Sequence, residues 1–131
     1  MQSIHIKKEI DEASPEIDDI YSDDAESFEL PIDIARHADK LIIVVPMVGA
    51  KSDDINLTIN NEILYIYKAA RNPIENVDNH YLKECHWGEL AREVELPTQI
   101  DPSTSQAELK NGILKIVLPI TKAKTRIIKV R

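Results

Sequence analysis

Short runs of β-branched and other apolar residues, separated by turn residues, follow one another along the chain from residue 31 onward. This spacing is typical of an all-β sandwich. In residues 55–59, isoleucine and leucine alternate with polar residues, a period of two that points one set of side chains into a core. Residues 60–62 turn the chain, and residues 63–67 return as the antiparallel partner strand. Further strands are predicted at residues 31–38, 41–45 and 90–96.

The strongest turn signal is the dipeptide Asn111-Gly112, which supplies the positive φ angles of a two-residue hairpin loop. Residues 107–110 and 113–118 are its predicted strands, and Pro119 ends the second one. The pattern as a whole predicts an all-β protein, a two-sheet antiparallel sandwich. Its buried faces are predicted to include Leu41, Ile43, Val45, Leu64, Ile66, Val94, Leu114, Ile116 and Leu118.

Charge divides the chain into two chemically different parts. Residues 1–30 hold ten acidic residues and two lysines, a net charge of −8, whereas the remaining 101 residues hold 13 acidic and 14 basic residues, a net charge of +1. Residues 9–29 also lack a sustained apolar period, so self-repulsion outweighs what they could bury. We therefore expect a mobile acidic arm at residues 1–29, a folded domain at 30–120 and a C-terminal extension at 121–131.

The composition also argues against several classes of protein. The longest apolar run, residues 41–45, is far shorter than the roughly 18 residues that span a bilayer, and residues 1–10 lack the apolar stretch of a secretory signal. The single cysteine, Cys85, permits no internal disulfide and suits a reducing compartment. The acidic balance, without a broad basic face, opposes nucleic-acid binding. We expect a cytoplasmic protein with neither membrane nor nucleic-acid partners.

Motifs for catalysis or metal binding are missing from the sequence. No recognised nucleophile, phosphate-loop or metalloprotease pattern is present, and the clustered carboxylates lie in the predicted arm, where nothing fixes their geometry. His80, Cys85 and His86 carry zinc-binding groups, but no fourth ligand recurs nearby, and Cys85 and His86 would point to opposite faces of a strand. We expect no enzyme activity and no cofactor.

Four motifs lie in order along the chain, at residues 31–34, 49–55, 88–97 and 107–119, and together they resemble those of the small heat-shock (alpha-crystallin) family. Residues 107–119, AELKNGILKIVLP, resemble the signature A-x-x-x-N-G-x-L-x-x-x-x-P, and residues 88–97 resemble G-x-F-x-R-x-F-x-L-P with aliphatic residues replacing aromatic ones. Residues 49–55 resemble the family's P-G turn, with Val48 in place of proline, and residues 31–34 resemble its opening strand. All four occur in the family's order. The signature turn residues are Asn111, Gly112 and Leu114.

The resemblance implies an immunoglobulin-like β-sandwich, the alpha-crystallin domain, that forms homodimers and larger homo-oligomers. It further implies an ATP-independent holdase chaperone that binds partly unfolded client proteins and prevents their aggregation. The alternative is an adaptor resembling the CS-domain co-chaperones, which share the sandwich, stay monomeric and dock on another chaperone. A small-ligand or enzymatic sandwich finds no polar cluster in the sequence to support it.

The C-terminal residues Ile128 and Val130 resemble the family's I-x-I/V tail motif, which docks by strand addition into a groove on a neighbouring subunit. The resemblance places that groove between strands at 55–59 and 107–109. The alternative is that residues 127–130 form the last core strand of their own domain. The predicted groove and client-binding residues are Leu57, Ile59, Ala107 and Leu109.

Dimer contacts are implied by two further similarities. Arg92 matches an arginine that lies at the dimer interface in one branch of the family, although an exposed residue balanced by Glu93 or Glu95 is the alternative. Residues 68–84, which include Tyr81 and Leu82, resemble a loop exchanged between subunits; a short strand near 80–84 would pair with the partner's first strand. The alternative is an ordinary solvated loop.

Overall fold

A computed structural model of the protein describes residues 2–4, 29–121 and 128–131. Eight strands and two short 3-10 turns make up its regular structure, and those residues include no α-helix. The 3-10 turns are Ser52–Asp54 and Pro102–Thr104. The strands are β1 (Gln2–Ile4), β2 (Asp33–His37), β3 (Lys40–Pro46), β4 (Ile55–Asn60), β5 (Ile63–Ala70), β6 (Gly88–Glu95), β7 (Gln106–Lys110) and β8 (Ile113–Pro119).

The strands form two antiparallel sheets. The five-stranded sheet has the order β1-β7-β8-β3-β2, and the three-stranded sheet has the order β4-β5-β6. This arrangement confirms the predicted all-β, immunoglobulin-like sandwich. Strand bounds differ by a few residues: β2 ends at His37 rather than residue 38, because Ala38 adopts a φ of 54° and turns the chain.

The core lies between the two sheets and follows the predicted alternation. Val94 on β6 is only partly buried and packs against the edge of the core. Leu30 and Met47, which were not among the predicted core residues, are also fully buried. The remaining predicted core residues are all buried: Leu41, Ile43, Val45, Leu64, Ile66, Leu114, Ile116 and Leu118.

Two hairpins turn through two-residue loops with positive φ. Asn111 and Gly112 have φ of 52° and 74°, as the Asn-Gly signal predicts. Asn61 and Glu62 make the same kind of turn between β4 and β5, with φ of 50° and 67°. The Gly112 carbonyl accepts a hydrogen bond of 2.6 Å from the Met47 amide, so the signature turn also fixes the end of β3.

Lys68 lies at an inward position of β5, between the buried residues Ile66 and Ala70. Burial lowers the pKa of its ammonium group from the usual 10.5, because part of the solvating water is removed. Lys68→Met keeps the length of the side chain without the charge. We expect this substitution to raise the free energy of unfolding at pH 7 by about 1 kcal/mol.

The gain should depend on pH in a defined direction. Below the folded-state pKa, Lys68 is charged in both the folded and unfolded states, and the folded state bears the full cost of burying the charge. Between that pKa and 10.5, the unfolded state binds the proton more tightly than the folded state. The free energy of unfolding therefore rises with pH in this range. The advantage of Lys68→Met over the parent should therefore shrink at alkaline pH in chemical denaturation. Lys110→Met, at an exposed position, is the control. A loss of stability in Lys68→Met would contradict this account.

Candidate functional site

The predicted groove residues lie on β4 of the smaller sheet and β7 of the larger sheet, two strands whose outer edges are neighbours. Strand β4 pairs with β5 along one edge, and no other strand pairs with it in the part of the chain that the structure describes. Strand β7 pairs with β8 along one edge and with the short β1 along the other. Because β1 contacts the 3-10 turn that leads directly into β4, the two edges lie near each other.

The four predicted groove side chains all belong to the hydrophobic core. Leu57 and Ile59 on β4, and Ala107 and Leu109 on β7, are buried within the single chain. An aspartate at Leu57 or Ala107 would place a carboxylate in this core and destabilise the domain, so such a variant cannot test binding alone. A partner would add to these strands through their backbone. Among the described strands the outer edge of β4 is unpaired, whereas that of β7 is occupied by β1. The binding role of these four residues stays a prediction.

The C-terminal tail residues carry their apolar side chains in solvent. Residues 128–131 form no strand, and Ile128 and Val130 are 83% and 95% exposed. The described part of the tail is therefore not a core strand of its own domain, which was the alternative to docking. Ile127 lies outside the described residues. Docking of Ile128 and Val130 on a neighbour remains a prediction.

Arg92 binds residues 29 and 30, the segment that precedes β2. On β6 it pairs with the buried Ile66 of β5, and its Nη1 atom lies 3.1 Å from Oε2 of Glu29 and 3.5 Å from the carbonyl oxygen of Leu30. Glu29 also makes a parallel bridge with Ala91, so residues 29 and 30 run along the outer edge of β6. The partner is thus Glu29, not Glu93 or Glu95. A role for Arg92 between subunits stays a prediction.

The long connection between β5 and β6 is exposed over most of its length. Residues 71–87 form no strand within the single chain. The short strand predicted near residues 80–84 is therefore not formed there. Tyr81 and Leu82, predicted at the dimer interface, are 98% and 75% exposed, and Ile74 is also exposed. A loop with this much apolar surface in water is typical of an interaction segment.

The described residues offer no arrangement for metal binding or membrane insertion. His80, Cys85 and His86 are exposed, and no three or more His, Cys, Asp or Glu side chains among the described residues converge as metal ligands. No helix in the described part of the chain is long and apolar enough to cross a membrane. A pocket of about 300 Å³ between β2 and residues 97–98 contains none of the predicted site residues.

Two features of the site were missed from the sequence. Strand β1 lies within the predicted mobile arm, where the alternation of Ile4 and Ile6 is the one sequence signal that could have indicated a strand. The Glu29–Arg92 contact joins residues 63 positions apart, which no local pattern reveals. Residues 5–28, which make up most of the predicted arm, lie outside the described residues, so its mobility stays a prediction.

Comparison with known proteins agrees with this architecture. The model of the Hsp20/alpha crystallin family matches residues 33–131, and the chain belongs to that family. It is 32% identical over 88 residues to small heat shock protein C4 of Rickettsia felis, covering 66% of this chain and 54% of that protein. It is 30% identical over 93 residues to a 17.7 kDa class II heat shock protein of Arabidopsis thaliana, covering 68% and 59%. The chain therefore spans a little over half the length of these two relatives.

Solved structures show the same fold. Heat shock protein 16.0 from Schizosaccharomyces pombe superposes with a TM-score of 0.65 at 24% identity, covering 79% of this chain and 100% of that one. A small heat-shock protein from Xylella fastidiosa, described as having a distinct high order structure, superposes with a TM-score of 0.67 at 22% identity, covering 80% and 98%. At these identities the likeness establishes the alpha-crystallin sandwich.

Proposed function

We propose that the protein is an ATP-independent holdase that binds partly unfolded proteins and prevents their aggregation. Membership of a chaperone family gives the class, and the exposure of Ile128 and Val130 is the observation that carries the proposal further. The charged tail keeps these two β-branched side chains in water. Their burial is favourable in free energy, but it requires contact with another apolar surface. They fit a protein that assembles with copies of itself.

The edges of the sheets support the proposed self-association. Strand β2 pairs with β3 alone among the described strands, so its outer edge is open to a strand from a second subunit. The exposed loop with Tyr81 and Leu82 is suited to supply it, which would give a homodimer. The tail would then link dimers by adding Ile128 and Val130 to a β4–β7 edge of a neighbour, which would give a larger homo-oligomer.

Client binding uses the same surfaces when they are free. An unfolding protein presents apolar segments and unpaired strand edges, and these complement the backbone edges and the exposed apolar loop described above. The first 30 residues, with a net charge of −8, would keep the loaded complex in solution. No step requires nucleotide hydrolysis, and we propose that the protein acts in the cytoplasm.

The test is light scattering from a thermolabile enzyme heated with increasing amounts of the purified protein, without nucleotide. We expect dose-dependent suppression near one subunit per client and a weaker effect for the double variant Tyr81→Ser, Leu82→Ser. Glu84→Ser, an exposed polar position in the same loop, is the matched control. Absence of suppression at every temperature, together with a monomeric mass, would support the adaptor instead.

A further inference from the structure

The outer edge of β7 is already occupied within the single chain. Strand β1 pairs with it antiparallel, with Gln2 opposite Leu109, Ser3 opposite Glu108 and Ile4 opposite Ala107. The other edge of β7 is bonded to β8 along its whole length. A strand has only two edges, so any segment that adds to β7 must first displace β1.

The two ends of the chain carry the same recognition pattern. Ile4-His5-Ile6 and Ile128-Lys129-Val130 each place two β-branched residues on either side of one ionisable residue. In an extended strand this spacing puts both branched side chains on one face. The β7 edge accepts residues 2–4 through their backbone, with Ile4 opposite Ala107, and an extended tail segment can add its backbone to the same edge.

We propose that β1 and the C-terminal tail are mutually exclusive occupants of the β7 edge, and that β1 holds the edge closed in a subunit without a neighbour's tail. This inference rests on the proposed tail docking. It makes the N-terminal strand an internal competitor that sets how readily subunits link. The edge passes from the chain's own Gln2–Ile4 to the Ile128–Val130 segment of another copy when subunits assemble.

The short length of β1 sets the strength of this competition. A three-residue strand at the end of a sheet belongs to the least stable part of a fold, so warming releases it before the core strands. Its advantage is that it is tethered to the same domain, whereas the competing tail must arrive from solution. If the edge is open in one subunit in five to ten, the tail binds about five- to tenfold more weakly than to a permanently open edge.

The binding test uses a fluorescent peptide of residues 121–131 and full-length protein carrying Ile128→Ser and Val130→Ser, so that the attached tail does not compete. Adding Ile4→Asp, which disfavours the strand, should tighten peptide binding about five- to tenfold. Adding Ile17→Asp, the same change elsewhere in the acidic segment, should leave the affinity at the parent value. Equal affinity in all three proteins would overturn the inference.

Hydrogen exchange at the amides of β7 separates this inference from the tail docking on which it rests. Ile4→Asp should speed exchange of the β7 amides that face β1, and Ile17→Asp should not. If the peptide binds but Ile4→Asp changes neither exchange nor affinity, competition by β1 is overturned and tail docking stands. If exchange speeds up but no protein binds the peptide, tail docking fails, and the competition fails with it.

Discussion

Replacing Ile128 and Val130 together by serine is expected to leave the sandwich folded and to reduce the assembled protein to dimers. Both side chains lie almost wholly in water in the single chain, so their removal takes nothing from the domain's own core. In the assembly each would be buried against a neighbour, and their joint loss should weaken each tail contact by about 3–5 kcal/mol, or two or more orders of magnitude in affinity. Light scattering coupled to size-exclusion chromatography measures the mass.

Lys129→Ser is the matched control for this substitution. Residue 129 lies between the two apolar positions and points to the opposite face of an extended strand, so its replacement should leave the mass of the assembly unchanged. Far-ultraviolet circular dichroism should report the same β content in all variants. A double variant that keeps the full mass would show that the tail does not link the subunits.

Leu30→Ala is expected to lower the free energy of unfolding by about 2–4 kcal/mol, the loss typical of a buried leucine. Leu30 is 1% exposed and belongs to the core, although it stands at the edge of the segment predicted to be a mobile arm. The measurement is chemical denaturation in the tail-substituted background, with all variants at one subunit concentration, so that assembly contributes equally to each stability. The result tests the proposed domain boundary at residue 30.

The neighbouring contacts provide the controls for Leu30. Pro31→Ala, at an exposed position, should change stability by less than about 0.5 kcal/mol. Arg92→Met removes the ion pair with Glu29. The side chains of Arg92 and Glu29 are 31% and 62% exposed, and solvent-screened pairs of this kind contribute about 0–1 kcal/mol to the free energy of unfolding. Burial of Leu30 therefore outweighs the ion pair. If Leu30→Ala proves as mild as Pro31→Ala, the domain begins further along the chain.

Local signals predicted most of the sandwich. Asn-Gly favours the positive φ angles of a two-residue hairpin turn, and Asn111 and Gly112 adopt them. The alternation in β4 and β5 determines which of their side chains face the core. Eight of the nine predicted core residues are buried, on β3, β5 and β8. The ninth, Val94, is partly buried against the core, and how much of a side chain its neighbours cover cannot be inferred from one strand's own sequence.

Long-range partners could not be predicted in the same way. Nothing near Arg92 indicates that its partner is Glu29, and nothing near Gln2–Ile4 indicates that β7 lies within reach. The sequence predicts a loop from residue 68, but β5 continues to Ala70 and Lys68 takes an inward position, where lysine is unusual. For the site, the tail motif and the loop were recognised by resemblance, whereas burial of the groove side chains emerged only with the complete fold.

The attachment of both ends of residues 5–28 limits how far this acidic segment extends from the domain. One end joins β1 on β7, and the other joins Glu29 against β6. A chain of 24 residues has a contour length of about 80 Å. A segment of this length can therefore reach at most about 40 Å from the surface when it is held at both ends, and at most twice that distance when it is held at one end. If the three-residue strand were released, the greatest distance at which this negatively charged segment could exclude other particles would double.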